Sequence, residues 1–459
     1  MNNNNMRTIV IILAVVLVLL LLGVGGYYLL TGSGDGGDDT PLDNTGVVPT
    51  DRQVTLIWWN LFESQENVQP LIDAYQAKYP NISIEYSEKT LDEYQTSLEK
   101  VLTDGQPETT PDIFTVNAKS VARYKNYTLT APSEVIDYAT YQRNFYPVVA
   151  EDGAYDGTVH ALPLGVDSIA LIYNKKLLND AGYTVPSDDW SELFEQAKNI
   201  TKTTGNGGTS GQAISTSGLA LGAADDDAQF WLEVINLLLL QSEVTMLDET
   251  DQAAFADDEA TNEAAAYFGG YTDENVWDES LKRDIALFLE GKLGMFFAPS
   301  WRLDEIIQYN ETYELGLDVG VANVPQLSSL EDESVGWADY WMQMVALDSQ
   351  NHQVAWDFLN FASQPEQLRA TYSKAAESRV FGQIYPRVDM KPELESNQYL
   401  EVYLDEVSHA ESWKMVDYSQ VKDAFKEWLA SGGGNAGSAE SQVTSIVDSN
   451  GYLRSSSIN

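Results

Sequence analysis

Ile169, Leu171 and Tyr173 alternate with Ala170 and Ile172 in an almost unbroken apolar run, which predicts a strand covered on both faces. Asn174 ends it. Past Gly182 and Pro186, Asp189 stands where a helix cap belongs, with Glu192 three residues on, and Trp190, Leu193, Phe194, Ala197 and Ile200 follow at helical spacing. The same alternation begins much earlier. Val54, Leu56 and Trp58 predict a strand, and Val68, Leu71, Ile72, Tyr75 and Tyr79 a helix. Ile82, Ile84 and Tyr86 then predict a second strand, and Leu91, Tyr94, Leu98, Val101 and Leu102 a second helix. PDIFTV at 111–116 adds another strand, so the pattern is α/β, with a mostly parallel sheet carrying helices on both faces. Further on, Leu281, Ile285, Phe288 and Leu289 mark a helix stopped by Gly291, with a strand at 293–297. Trp356 and Leu359, with Ala355 and Phe358, mark another helix, and Pro365 suits the start of the next. The Gly/Ser/Ala-rich stretch at 431–441 reads as a loop, and the chain has no internal repeat.

Residues 8–30 contain no charged side chain, and a helix of that length crosses the hydrocarbon core of a bilayer. Arg7 precedes the run while Asp35, Asp38 and Asp39 follow it, which puts the amino-terminal tip, 1–7, in the cytoplasm and the bulk of the chain outside. A cleaved signal peptide is the competing reading, but the run is long and lacks an Ala-x-Ala site. Residues 31–50, rich in Gly, Asp, Thr and Pro, read as a flexible tether. Gly32, Gly34 and Gly37 match the spacing of a dinucleotide fingerprint by accident, since no strand precedes them and no helix follows.

Composition narrows the function. A chain of 459 residues exceeds one hydrophobic core, so two lobes are expected, and 44% hydrophobic content excludes a largely disordered protein. Lys+Arg of 26 against Asp+Glu of 70 gives 26 − 70 = −44, a field that repels nucleic acid and anionic lipid surfaces. No nucleic-acid partner is expected. Without cysteine there is no disulfide framework and no thiolate, and His160, His352 and His409 form no ligand spacing, so no cofactor or metal is expected. The acid runs at 225–227 and 257–259 lack the alternation and glycine of a calcium loop and read as solvated faces. The sequence holds no HExxH, phosphate-loop or Ser-His-Asp signature.

Five segments in register carry a family likeness: VTLIWWNLFESQENVQPLIDAYQAKYPNISIEY, PDIFTVN, LPLGVDSIALIYNKKLLNDAGY with DDWSEL, GKLGMFFAPSW, and VGWADYWMQMVALDSQNHQVAWDFLNFASQPEQ. In this order they resemble the sugar-type extracellular solute-binding proteins of ABC importers, family 1, over about 54–428. The resemblance implies a periplasmic-binding-protein-like fold, in which two α/β lobes joined by hinge segments close over a small-molecule ligand, and a monomer that passes the ligand to a membrane permease. The implied division is 51–164 with 299–334 for the first lobe, 165–298 with 335–429 for the second, and a loop or tail at 430–459. Two features depart from the family. There is no lipid-bearing cysteine, so the helix at 8–30 takes its place as anchor. Trp337 follows Gly336 where relatives are often smaller, which changes the shape of the pocket.

A sugar offers hydroxyls at its rim and apolar C–H faces above and below the ring, so its receptor needs flat aromatic faces edged by carboxylates or amides. Trp59, Asn60 and Asn117 fall at the carboxyl ends of strands, where ligands of open α/β sheets bind. Trp231, Trp301, Trp337, Tyr340 and Trp341 are the other aromatic candidates, although core packing is an equally ordinary use of a Trp, and Trp58 is read as core. Asp167 lies where the chain first passes between lobes and meets either ligand hydroxyls or a hinge hydrogen bond. Asp339 is a similar candidate, and Arg379 either donates to ligand oxygens or holds an acidic neighbour. Two other classes stay open: a polyamine receptor, which suits the acidity, and a glycoside hydrolase, which needs two placed carboxylates.

Overall fold

A computed structural model of the chain describes residues 48–49, 52–104, 110–204, 213–224, 227–256, 259–278, 280–328, 334–434 and 436–450. The expected membrane helix at 8–30, the tip before it and most of the tether lie outside these residues. Among the described residues no helix is long and apolar enough to cross a membrane. Val48, inside the expected tether, is buried in the core, and Pro49 accepts a hydrogen bond from Asn81 Nδ2, so this end of the tether is tied down.

The strands used below are β1 (Val54–Leu61), β2 (Ile82–Lys89), β3 (Ile113–Asn117), β4 (Thr128–Leu129), β5 (Ile169–Asn174), β6 (Lys202–Thr204), β7 (Ala213–Leu219), β8 (Leu293–Pro299), β9 (Val319–Ala322), β10 (Gly336–Trp337), β11 (Trp341–Ala346) and β12 (Ala410–Glu411). The helices used below are α1 (Gln65–Lys78), α2 (Leu91–Asp104), α3 (Val121–Tyr124), α4 (Trp190–Ile200), α5 (Trp231–Gln241), α6 (Glu259–Asp273), α7 (Asp284–Leu289), α8 (Ser300–Thr312), α9 (His352–Ala362), α10 (Pro365–Ala375), α11 (Leu400–Ser408), α12 (Tyr418–Ala430) and α13 (Gly437–Asn450). Local chemistry fixes several of these ends. Asp189 accepts from the N–H groups of Ser191 and Glu192 and so starts α4, Pro365 opens α10 at a position needing no N–H, and Gly291, at φ 69°, closes the turn between α7 and β8.

Two five-stranded sheets result, in the orders β2-β1-β3-β11-β4 and β9-β5-β8-β7-β6. In the first, β1 runs parallel to β2 and β3 while β11 is antiparallel to β3 and β4; in the second, β8 is parallel to β7 and antiparallel to β5. Every residue of β5 is buried, as its unbroken apolar run requires. One hydrophobic core joins β1, β3, β11, α1 and α9 to Phe288, Phe296 and Ile306 on one face of the second sheet. The other core packs Leu171, Trp190, Ile235, Phe268, Phe425 and Val443 on its opposite face. The molecule is therefore a two-lobed α/β protein.

Strands assort differently from the expected division. β9, expected in the first lobe, pairs with β5 in the second sheet, where Gly320 leaves room for the Tyr173 ring; a Cβ there would come within 2.2 Å of it. β11, expected in the second lobe, lies between β3 and β4 in the first, with Gln343 accepting from Trp58 Nε1 and lying 2.9 Å from the Thr115 hydroxyl. The carboxyl-terminal stretch is not a loop throughout. Val443, Ile446 and Val447 form an apolar stripe that buries α13 against α12, despite the serine-rich composition.

Candidate functional site

The lobes meet where the chain crosses between sheets. Leu162 bridges Gln343, Val166 bridges Ile384 and Ser168 bridges Ala338, so the run entering β5 lies antiparallel to the run entering β11. Asp339 N donates to Asp167 O at 3.0 Å, and the third crossing, β12, pairs with β10. These crossings bring the carboxyl edges of the two sheets together: Trp341 opens β11 opposite Asn117, the last residue of β3, and Ile169 opens β5 opposite Pro299, the last residue of β8.

Each edge presents one aromatic pair. On the first, Phe62 follows β1 and meets Trp341 edge to face, centroids 5.1 Å apart, with 51% of Phe62 exposed. On the second, Trp301 meets Phe230 at 5.9 Å, with 48% of Trp301 exposed and the Arg302 guanidinium 4.5 Å from its ring. Large apolar rings left half in water at the edges of two sheets make these places candidate ligand surface. Trp341 and Trp301 are among the ligand candidates read from the sequence; Phe62 and Phe230 are not. Phe62 follows the strand pattern by one residue, and that position was the only available signal.

Most of the other candidates are committed elsewhere. Asn60 is buried and accepts from Leu61 N and Thr115 Oγ1, tying β1 to β3. Asn117 caps the turn after β3 through Lys119 N. The ammonium of Lys89 sits 4.2 Å from the centre of the Trp59 ring. Trp231 and Trp337 are buried, each with an indole N–H that finds no protein acceptor among the described residues. Tyr340 donates to Asp152 at 2.7 Å. Arg379 pairs with Glu63 and donates to Phe62 O at 3.3 Å, so it holds an acidic neighbour.

Asp167 is partly buried. It accepts from Ser168 N at 2.9 Å and from both the N–H and the hydroxyl of Ser300, the first residue of α8. Burial pushes its carboxyl up to about 7 against the opposing pull of these hydrogen bonds. Its contacts are those of the hinge hydrogen bond, and through Ser300 they fix the turn that carries Trp301.

Close by is a buried charged cluster the sequence did not announce. Lys119 Nζ donates to Asp339 Oδ1 at 2.8 Å and to Ala338 O at 3.1 Å, beneath the Trp337 ring at 5.2 Å. Glu233, in the first turn of α5, accepts from Tyr418 OH at 2.6 Å, and burial, then the Asp339 charge, raise its carboxyl above the usual range. Its other oxygen has no partner among the described residues. Where α2 faces α12, Arg123 of α3 joins Glu99 to Asp417 along a groove of about 590 Å³ lined also by Gln95, Lys100 and Gln420. Among the described residues no cluster of three or more His, Cys, Asp or Glu is arranged to hold a metal ion.

Comparison with known proteins gives a consistent result. A family model described as bacterial extracellular solute-binding protein matches residues 70–379. The maltotriose-binding protein of Pyrococcus abyssi is 22% identical over 326 residues, covering 68% of this chain but only 63% of that relative's length. The cyclic α-maltosyl-1,6-maltose binding protein of Arthrobacter globiformis superposes with a TM-score of 0.71 at 20% identity, over 86% of this chain and 100% of the other. The GacH receptor of Streptomyces glaucescens, solved unliganded and with acarbose, gives 0.65 at 21% identity, over 87% and 98%. At such identities the superpositions establish the fold.

Proposed function

The chain belongs to the bacterial extracellular solute-binding proteins, and from that premise we propose that it is a non-enzymatic receptor which closes over a sugar or oligosaccharide and delivers it to an ABC importer. The observation that carries this reading is the likeness of the two edges, each with one half-exposed ring against a second aromatic: Phe62 against Trp341, and Trp301 against the buried Phe230. Two such pairs suit the two apolar faces of a sugar ring or of neighbouring rings in an oligosaccharide. Three crossing segments at one junction suit rotation of the lobes about a hinge, with the ligand favouring the closed state because only there does it touch both lobes.

Proteins similar in fold and sequence include receptors whose names specify maltotriose and a cyclic maltosyl-maltose, and this supports α-glucans as first probes. The receptor acts as a monomer, tethered by the uncharged segment at 8–30 with its lobes outside the cell. Resistance of the full chain to carbonate extraction checks the tether; a native mature protein beginning near residue 31 overturns it. For binding, calorimetric titration with maltose, maltotriose and a cyclic maltosyl-maltose is the test, alongside spermidine. Heat and stabilisation with a sugar support the reading. Spermidine binding with every sugar silent replaces it with a cation receptor, and cleavage of the sugars replaces it with a hydrolase.

A further inference from the structure

Phe62 holds a backbone conformation that its side chain does not favour. Its φ is 64°, in the left-handed region, where a residue with a Cβ is strained and glycine or asparagine is the usual occupant. Burial does not compensate, because half of the ring stands in water. Strained residues of this kind persist only where their surroundings over-determine them, and they gather at binding sites.

The surroundings of Phe62 are of that sort. Leu61 before it is buried at the end of β1. After it, Glu63 O accepts from Tyr86 OH at 2.6 Å, and Ser64 caps α1. The Glu63 carboxylate, largely buried, collects Arg379 Nη1, Gln383 Nε2 at 3.1 Å and Asn67 Nδ2 at 3.1 Å. Arg379 then reaches back with Nη2 to the carbonyl of Phe62 itself. One guanidinium thus grips both the strained peptide and the acid beside it, a two-point hold that a lysine ammonium cannot reproduce. The next residue, Val380, donates its N–H to Asp304 on α8, the helix that carries Trp301, so the gripping segment is itself held.

We infer that Phe62 determines specificity on the first lobe, selecting ligands that present the flat C–H face of a ring there, and that Arg379, acting through Glu63 and the Phe62 carbonyl, is the positioning residue that keeps the ring aimed. This rests on the carbohydrate reading above. An aromatic at the tip of a strand, set in place before the ligand arrives, gains contact without losing side-chain freedom at the moment of binding.

The test has one arm without ligand and one with it. Without ligand, Phe62→Gly relieves the strained φ while Phe62→Ala does not, so the Gly variant is expected to melt above the Ala variant; an Ala variant that melts higher overturns the strain and the inference with it. With maltotriose, Phe62→Gly and Arg379→Ala are each expected to raise Kd about tenfold or more, as loss of an anchoring aromatic does. In combination they are expected to cost scarcely more than Phe62→Gly alone, and Arg379→Lys to restore only part of the loss. Additive losses overturn the positioning role and make Arg379 a ligand contact, whereas unchanged affinity with a lowered melting point makes it purely structural. Wild-type protein that binds no sugar overturns the carbohydrate reading and the sugar-face specificity with it, while the ligand-free arm still decides the strain.

Discussion

Asp167 and Ser300, 133 residues apart in the chain, are joined twice: the Asp167 carboxylate accepts the Ser300 N–H at 3.1 Å and its hydroxyl at 2.7 Å. The pair ties the first crossing between lobes to the start of α8, one residue before Trp301. Burial raises this carboxyl to about 7, against an ordinary unfolded value of about 3.9. A raised folded-state value means that the stabilising contribution is complete below about pH 4 and is lost as pH rises through about 7. Chemical denaturation from pH 4 to 8 is therefore expected to show stability falling across that window, by up to about 1.4 kcal/mol per pH unit for this one group. Asp167→Asn flattens this component. An unaltered profile in the variant removes Asp167 as its source.

Trp301 and Trp337 are expected to respond oppositely to truncation, since one is half exposed at the start of α8 and the other is fully buried in β10. Trp301→Ala costs about 2 kcal/mol of maltotriose binding, the scale of an anchoring aromatic, with little change in the melting point of the free protein. Trp337→Ala costs about 3–5 kcal/mol of folding stability, the scale of an emptied aromatic site. Calorimetry paired with thermal melts separates the two, and equal loss of stability in both variants contradicts the assignment.

Arg123 joins Glu99 on α2 to Asp417, the N-cap of α12, so it links the two cores at a place far from the aromatic pairs in sequence. Beside it Val416 is held at φ 64°, a strained value for a β-branched residue, with its N–H on Lys119 O at 3.1 Å. Arg123→Gln is expected to loosen the approach of the lobes and weaken maltotriose binding by about 2 kcal/mol, as for a lost charge-assisted hydrogen bond. X-ray scattering of the ligand-free variant then gives a larger radius of gyration than wild type. A drop in melting point with radius and affinity unchanged confines the ion pairs to folding.

Gly218 of β7 lies directly beneath α4, where an added Cβ would come within 1.9 Å of Ala197 O. That atom is backbone and cannot swing aside. Gly218→Ala is expected to cost about 1–3 kcal/mol, the usual penalty of overpacking, while sugar affinity per folded molecule stays as in wild type. An unchanged melting point means the helix and sheet separate more freely than this contact allows.

Much of the fold was legible because local rules were decisive. The apolar run at Ile169–Asn174 became a strand buried on both faces, and Asp189 became the cap of α4. Strand partners were a different matter. Nothing near Trp341–Ala346 says that it pairs with β3, since strand pairing is decided by partners hundreds of residues away, and so the sheets exchanged β9 and β11 relative to expectation. The same limit applied to the site. Trp301 and Trp341 were recognisable as rings in the right segments, but a Trp pattern does not tell exposed from buried, which is what separates Trp301 from Trp231. Phe62 stands apart by a single dihedral angle, its positive φ, which no residue pattern reports.

The placement of β11 also sets a timetable. Gln343 stands 228 residues after Thr115, yet the first sheet has a gap between β3 and β4 until that strand arrives. At roughly 5–20 residues per second, a nascent chain waits on the order of ten seconds or more between making β3 and obtaining the neighbour that closes it. The second lobe waits longer still, because α12 and α13 complete its core from the very end of the described chain. Neither lobe is able to finish folding while the chain is short, and each carries an unpaired edge or an open core until its late segment appears. This order keeps the polypeptide open until nearly all of the described chain has been made.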